Sequence, residues 1–284
     1  MNRLKVEEAL KHFLIEDIGD RDLSALLFEE KDTGEAIVRL KEDGIVAGLQ
    51  CFEWGYKLLD QDVKIELLKK DGDFVQSGQA IARITGPVAT LLSGERVILN
   101  LVQRMSAIAT LTRRCVEALD STHTRIVDTR KTTPGLRMFE KYAVRVGGGF
   151  NHRIGLYDAV MLKDNHIAAA GSITAAVKKV RASLGHMTMV EVEVETEDQL
   201  HEAILVQPHV IMFDNQTPET MERWARLVPS TIRTEASGGI DLDKLAAYRH
   251  TGVDVISIGA LTHSVSNLDI SMNLSISHKE ALIQ

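Results

Sequence analysis

The residues best suited to chemistry in this 284-residue chain fall into three groups. Between Arg125 and His166 there are eight Lys or Arg (Arg125, Arg130, Lys131, Arg137, Lys141, Arg145, Arg153, Lys163) against four acids (Asp128, Glu140, Asp158, Asp164). That is a local +4 in a chain of net charge -7. Charge runs are most often solvated faces, but arginines brought together hold a carboxylate or phosphate by a bidentate fork, each charge-assisted bond contributing about 1.5–3 kcal/mol. The second group is acidic: Glu191, Glu193 and Glu195 on alternate positions, followed by Asp214-Asn215. Carboxylates facing into a strand core must meet cations, a metal or hydroxyls, so Glu193 and Asp214 are candidates for Mg²⁺ or sugar hydroxyls. The third group is small: Ser237-Gly238-Gly239 and Gly259-Ala260, whose bare backbone N–H groups suit a phosphate. Gly147-Gly148-Gly149 precedes Phe150-Asn151-His152-Arg153 and allows a close approach or a hinge there.

The elements that must position these groups follow from apolar rhythm. From residue 125 onward, β-rich pieces (125–128, 157–162, 189–194, 210–213, 231–236, 253–258) alternate with helical stretches at 172–184, 196–206, 218–227 and 242–251. This βαβα order predicts a parallel sheet, and six strands suggest an incomplete (β/α) barrel with its chemistry at the carboxyl ends of the strands. A doubly wound open sheet is the competing architecture, but the usual Gly-x-Gly-x-x-Gly turn is missing. The three groups all lie at predicted strand ends, which favours a site over a solvated face.

Before residue 93 the pattern is of short antiparallel strands, within 34–48, 63–69 and 74–84. The run Asp71 to Gln79 is similar to carrier-domain hairpins but offers no suitable lysine at its tip. Residues 94–119 carry apolar returns of three and four, predicting a long amphipathic helix. Its Arg104 reads, on pattern alone, as a cation snorkelling at the helix edge. The expected division is an N-terminal α/β sandwich, 1–110, rejoined by a return at 265–284, and a barrel, 111–264.

Composition narrows the classes. Hydrophobic residues at 44% and charged at 26% are ordinary for a globular chain. The net negative charge and the lack of aromatics among the basic residues argue against a nucleic-acid surface. No apolar run approaches a membrane span, and the opening residues carry no leader pattern, so a cytoplasmic location is expected. Cys51 and Cys115 match no metal or disulfide spacing and are expected to be buried thiols.

The motifs Asp128-Thr129-Arg130-Lys131-Thr132-Thr133-Pro134-Gly135, Gly147 to Arg153, Leu162-Lys163-Asp164-Asn165-His166 and Glu235-Ala236-Ser237-Gly238-Gly239-Ile240 together resemble those of the quinolinate phosphoribosyltransferases. The resemblance extends from Glu16-Asp17-Ile18-Gly19-Asp20 to Gly259-Ala260-Leu261-Thr262-His263-Ser264. It implies decarboxylating transfer of phosphoribose from 5-phosphoribosyl 1-diphosphate to quinolinate in NAD synthesis, with Mg²⁺. It also implies a homodimer, or a trimer of dimers, in which Arg104 reaches the neighbouring subunit's site. By the same resemblance Arg130, His152, Arg153 and Lys163 line the quinolinate pocket, Lys131 also lies in the cationic mouth, and Glu193 and Asp214 face the ribose and metal. Ser237, Gly238, Gly239 and Gly259 take phosphate, and Thr129, Ser257 and Ile258 complete the substrate contacts. Lys131, Glu193 and Asp214 are the expected catalytic groups. A related transferase with another acceptor, or a silent metabolite-binding protein, are the alternatives.

Overall fold

A computed structural model describes residues 1–29 and 31–276. The chain divides into two compact units: Met1–Thr110 with Met138–Gly147 and Val265–Gln284, of which residues 265–276 are described, and Leu111–Arg137 with Gly148–Ser264.

The first unit opens with α1 (Arg3–Ile18), which buries Val6, Leu10 and Leu14, four residues apart on one helical face. Asn2 caps its start. Strands β1 (Thr33–Leu40) and β2 (Gly44–Ile45), helix α2 (Gln50–Leu59), and strands β3 (Lys64–Leu67), β4 (Phe74–Val75) and β5 (Ala80–Pro87) follow. Then comes α3 (Val88–Leu119), six residues longer at its start than apolar spacing indicated. In β1, Ala36, Val38 and Leu40 are fully buried at alternate positions, the period of a sheet with one covered face. The last strand of the molecule, Ile270–Ile276, pairs antiparallel with β1, giving a sheet in which it lies beside β1, then β5, then β3. Residues 265–276 thus go with the first unit, and residues 277–284 of the expected return lie outside the described residues. Helix α4 (Arg137–Val146) also goes with this unit, although the expected division gave it to the barrel.

The second unit contains β6 (Arg125–Val127), β7 (Ala159–Leu162), α5 (Asp164–Ala170), α6 (Ile173–Arg181), β8 (Met189–Val194), α7 (Glu197–Val206), β9 (Val210–Asp214), α8 (Pro218–Ala225), β10 (Arg233–Ser237), α9 (Leu245–Tyr248), β11 (Val255–Ser257) and α10 (Ala260–His263). The Ile270–Ile276 strand is β12. The six strands form one parallel sheet in the order β6-β11-β10-β9-β8-β7. That is the cyclic order of a barrel, left open between its first and second strands. On the open edge of β6, Phe150 forms a parallel bridge with Val127, and Arg125 stacks its guanidinium 4.5 Å from the Phe150 ring.

Register decides which side chains share a face. Met161 is level with Glu191, Glu193 with Met212 and Met212 with Glu235, while Ser237 is level with Asp214 and Glu235 with Val255. All of these point to one side. The opposite side carries Val190, Val192, Val194, Ile211, Phe213, Ala236 and Ile256, all buried, with Phe213 packed edge-on against Trp224 of α8 at 5.5 Å. Apolar residues thus meet the helices, and polar ones turn inward. The predicted helix at 242–251 is reduced to Leu245–Tyr248, because the bonds around it run from residue i+3 to i, as in Lys244 to Asp241 and Thr251 to Tyr248. No described helix is long and apolar enough to cross a membrane.

Candidate active site

The inward face and the loops beyond it line a cleft of about 690 Å³, a size typical of small-molecule sites. Of the expected site residues, Thr129, Arg130, Lys131, His152, Arg153, Lys163, Asp214, Ser237, Gly238, Gly239, Ser257 and Gly259 all line it. Each follows from its element. Thr129 to Lys131 leave the end of β6, where Thr129 Oγ1 accepts from the Lys131 N–H at 3.0 Å and the Lys131 carbonyl accepts from Thr262 at 2.7 Å. Lys163 sits between β7 and α5 and reaches Glu193 Oε2 at 2.5 Å. Arg153 donates to the Ala159 carbonyl at 3.0 Å, which fixes its fork at the β7 side. Burial, then the nearby Arg130 charge, pulls the Arg153 pKa down, so an anion between the two is electrostatically welcome.

The acids divide by depth. Glu195 lies beyond the end of β8 and is exposed, whereas Glu191 and Glu193 are buried. Burial raises the Glu193 pKa against the opposing hydrogen bond from Lys163, with Asp214 adding to the rise. Glu193 lies beneath Lys163 and is not itself among the residues lining the cleft. Asp214 is at the rim, held by Asn215 Nδ2 at 2.5 Å.

Deeper still, His152 Nε2 lies 3.2 Å from Glu191 and 3.4 Å from Glu235. Burial opposes a charge on the ring, but hydrogen bonds to the two carboxylates outweigh it and raise its pKa to about 10. The Arg153 N–H, however, donates to His152 Nδ1 at 2.7 Å, which a ring protonated on both nitrogens could not accept. Glu191, whose pKa is pushed up by burial and then by Glu235, is the better seat for the extra proton. The three groups carry -1 in either arrangement.

At the far end of the cleft, Gly238 and Gly239 have φ of +98° and +60°. A Cβ on Gly238 would lie 2.3 Å from Asn215 Oδ1 and 2.6 Å from its backbone N, so only glycine fits there. Ile258 is not among the residues that line the cleft. Its side chain is 1% exposed, and its N–H donates to the Val127 carbonyl at 3.0 Å, so neither is turned to a ligand. Arg104 belongs to the first unit, where Glu140, itself buried, holds it through Nε at 2.7 Å and one Nη at 2.6 Å.

Several lining residues were given no individual role by sequence: Met161, Met212, Asn215, Glu235, Ile240, Asp241 and His263. Glu235 was legible in principle, because it stands two residues before Ser237 and so shares its face. His263 projects toward Gly259 because the single turn of α10 places residues four apart on one side.

Comparison with known proteins gives concordant results. Residues 108–273 match the quinolinate phosphoribosyl transferase C-terminal domain and residues 22–106 the N-terminal domain. A Bacillus subtilis (strain 168) protein described as a probable nicotinate-nucleotide pyrophosphorylase (carboxylating) is 55% identical over 98% of this chain and 96% of its own. A Synechocystis protein of the same description is 44% identical over 95% and 92%. The crystal structure of NadC from Streptococcus pyogenes superposes with a TM-score of 0.94 at 42% identity, covering 98% of this chain and 99% of that one. Human nicotinic acid phosphoribosyltransferase, at 14% identity and a TM-score of 0.61, shares the fold alone. With both halves matched and more than half of its residues identical to a full-length relative, the chain belongs to the quinolinate phosphoribosyltransferase family.

Proposed function

We propose that this chain converts quinolinate and 5-phosphoribosyl 1-diphosphate to nicotinate mononucleotide, CO₂ and diphosphate in NAD synthesis. The observation that carries the reading is a single cleft with Arg130, Lys131, Arg153 and Lys163 at one side and the Ser237-Gly238-Gly239 and Gly259 backbone at the other. Two carboxylates on one pyridine ring call for several fixed cations, and a sugar phosphate calls for bare N–H groups and small side chains.

In this reading Arg130, His152, Arg153 and Lys163 form the quinolinate end, and Ser237, Gly238 and Gly239, with Gly259, the phosphate end. Thr129 and Ser257 border the two. Asp214 faces the ribose from the rim and Glu193 supports it from behind Lys163, where departure of diphosphate leaves an oxocarbenium-like carbon that carboxylates stabilise. Lys131 offsets charge on the departing group. The pyridine nitrogen then attacks C1, and the ribosylated ring, now cationic, accepts the electron pair of the adjacent C–C bond as CO₂ leaves. No covalent nucleophile is needed. Asp214 at the rim and Glu193 behind its ion pair to Lys163 are the hard oxygen donors that would hold Mg²⁺. Bound there, Mg²⁺ would supply neutralising charge to the diphosphate. Arg104, oriented by Glu140, is proposed to serve the site of a second copy in a dimer or trimer of dimers. A cytoplasmic location fits the two free, buried cysteines.

The test is release of CO₂ and formation of nicotinate mononucleotide with Mg²⁺, with nicotinate as a parallel acceptor. Turnover of quinolinate alone supports the reading, and turnover of nicotinate alone replaces it. Arg153→Ala should raise the quinolinate KM at least tenfold with the fold intact; near-normal kinetics would remove Arg153 from the pocket.

A further inference from the structure

Glu191 and Glu235, the two carboxylates that hold His152, have no part in the chemistry above. Both carboxylates are almost fully buried, yet each keeps one oxygen, Oε1, without any hydrogen-bond partner. Unpaired buried oxygens carry an uncompensated desolvation cost, and packing alone would be served better by apolar side chains of similar volume. Polar groups kept at such a cost call for another explanation.

Geometry supplies one. Both ring nitrogens of His152 are engaged within the protein: Nε2 with Glu191 and Glu235, and Nδ1 with the backbone N–H of Arg153. On the other side of the same segment, Asp128 accepts the His152 backbone N–H at 2.9 Å and Asn151 Nδ2 at 2.5 Å. Residues 151–153 are thus gripped from two directions, and Arg153 emerges from that grip into the cleft. We propose that Glu191 and Glu235 are positioning residues for quinolinate: they lock the His152 ring, and through it the Arg153 backbone, so that the Arg153 guanidinium stays where a ring carboxylate binds. His152 then acts by holding its neighbour and keeps its own hydrogen bonds when substrate enters. This rests on the quinolinate reading of the cleft.

Glu191→Leu and Glu235→Leu should each raise the quinolinate KM at least tenfold, with the KM for 5-phosphoribosyl 1-diphosphate within twofold and kcat within about threefold. Glu191→Gln and Glu235→Gln keep an acceptor for Nε2–H and should restore the quinolinate KM to within about threefold of wild type. Folded Leu variants with an unchanged quinolinate KM would overturn the proposal, as would Gln variants as impaired as the Leu ones, since charge and not position would then be at work. Should the Leu variants fail to fold, the wild-type protein still decides. With histidine labelled by ¹⁵N, the His152 nitrogens should shift little on saturation with quinolinate, and a large shift would show the ring turning to the ligand. Wild-type protein that neither binds nor converts quinolinate would remove the functional reading itself, an outcome separate from any variant's behaviour.

Discussion

Gly238→Ala offers a quantitative test of how the phosphate end is built. At φ +98° an L side chain is strained by about 1–2 kcal/mol. The added methyl also meets the Asn215 backbone N at 2.6 Å and its side-chain oxygen at 2.3 Å. Backbone cannot swing aside as a side-chain tip can, and overpacking of this kind costs about 1–3 kcal/mol. The sum is about 2–5 kcal/mol, or a fall in Tm of about 6–15 °C at roughly 3 °C per kcal/mol. Gly239→Ala is the built-in control. Its φ of +60° carries strain of about 1 kcal/mol, but nothing lies within 4 Å of the new Cβ, so its Tm should drop by only about 3 °C. Asn215 is hydrogen-bonded to Asp214, so the clash should displace that carboxylate as well. Scanning calorimetry and steady-state kinetics should therefore show, for Gly238→Ala, a KM for 5-phosphoribosyl 1-diphosphate raised at least tenfold with the quinolinate KM nearly unchanged. Equal Tm losses in the two variants, or a normal KM for the donor in Gly238→Ala, would refute the reasoning.

Lys163→Met leaves the buried Glu193 without its cation; because Lys163 is 45% exposed, the loss of stability should be about 1–2 kcal/mol by urea unfolding, well short of a fully buried pair, while kcat falls at least a hundredfold. Burial raises the pKa of Cys51 to about 12 and of Cys115 to about 11, so both thiols stay protonated at pH 8. Iodoacetamide should label neither in the native protein and both after unfolding, as read by mass spectrometry. The Glu191–His152–Glu235 cluster keeps an extra proton in the folded protein, because burial and then the Glu235 charge raise the Glu191 carboxyl above the ordinary glutamate value of 4.5. A pKa raised by folding stabilises fully below the unfolded value and is lost as pH rises through the folded one. Tm should accordingly decline as pH rises above the ordinary glutamate value of 4.5 more steeply in wild type than in a Glu191→Gln variant, and parallel curves would exclude that contribution.

The sequence by itself determined the parts whose cause is local. Period-two and period-3.6 apolar spacing located the six parallel strands and the helix that α3 extends, because each element must bury one face. Glu191 and Glu193 could be turned inward from alternation alone, since Val190, Val192 and Val194 claim the helix-covered side. The cationic, acidic and glycine-rich motifs were legible as separate strand-end groups, and their order along the chain carried the family resemblance. What tertiary structure decided is everything that depends on closing those groups into one cleft. Glu235 meets His152 across 83 positions of chain, and no local pattern marks that pairing. Ile258 sits in a motif that suggests phosphate, yet its N–H is spent on Val127 because β11 pairs beside β6. Gly238 is irreplaceable for the space that Asn215, on another strand end, leaves it. Spacing along a chain fixes which face a residue occupies, whereas the partner it meets there is set by register and closure among strands far apart in sequence.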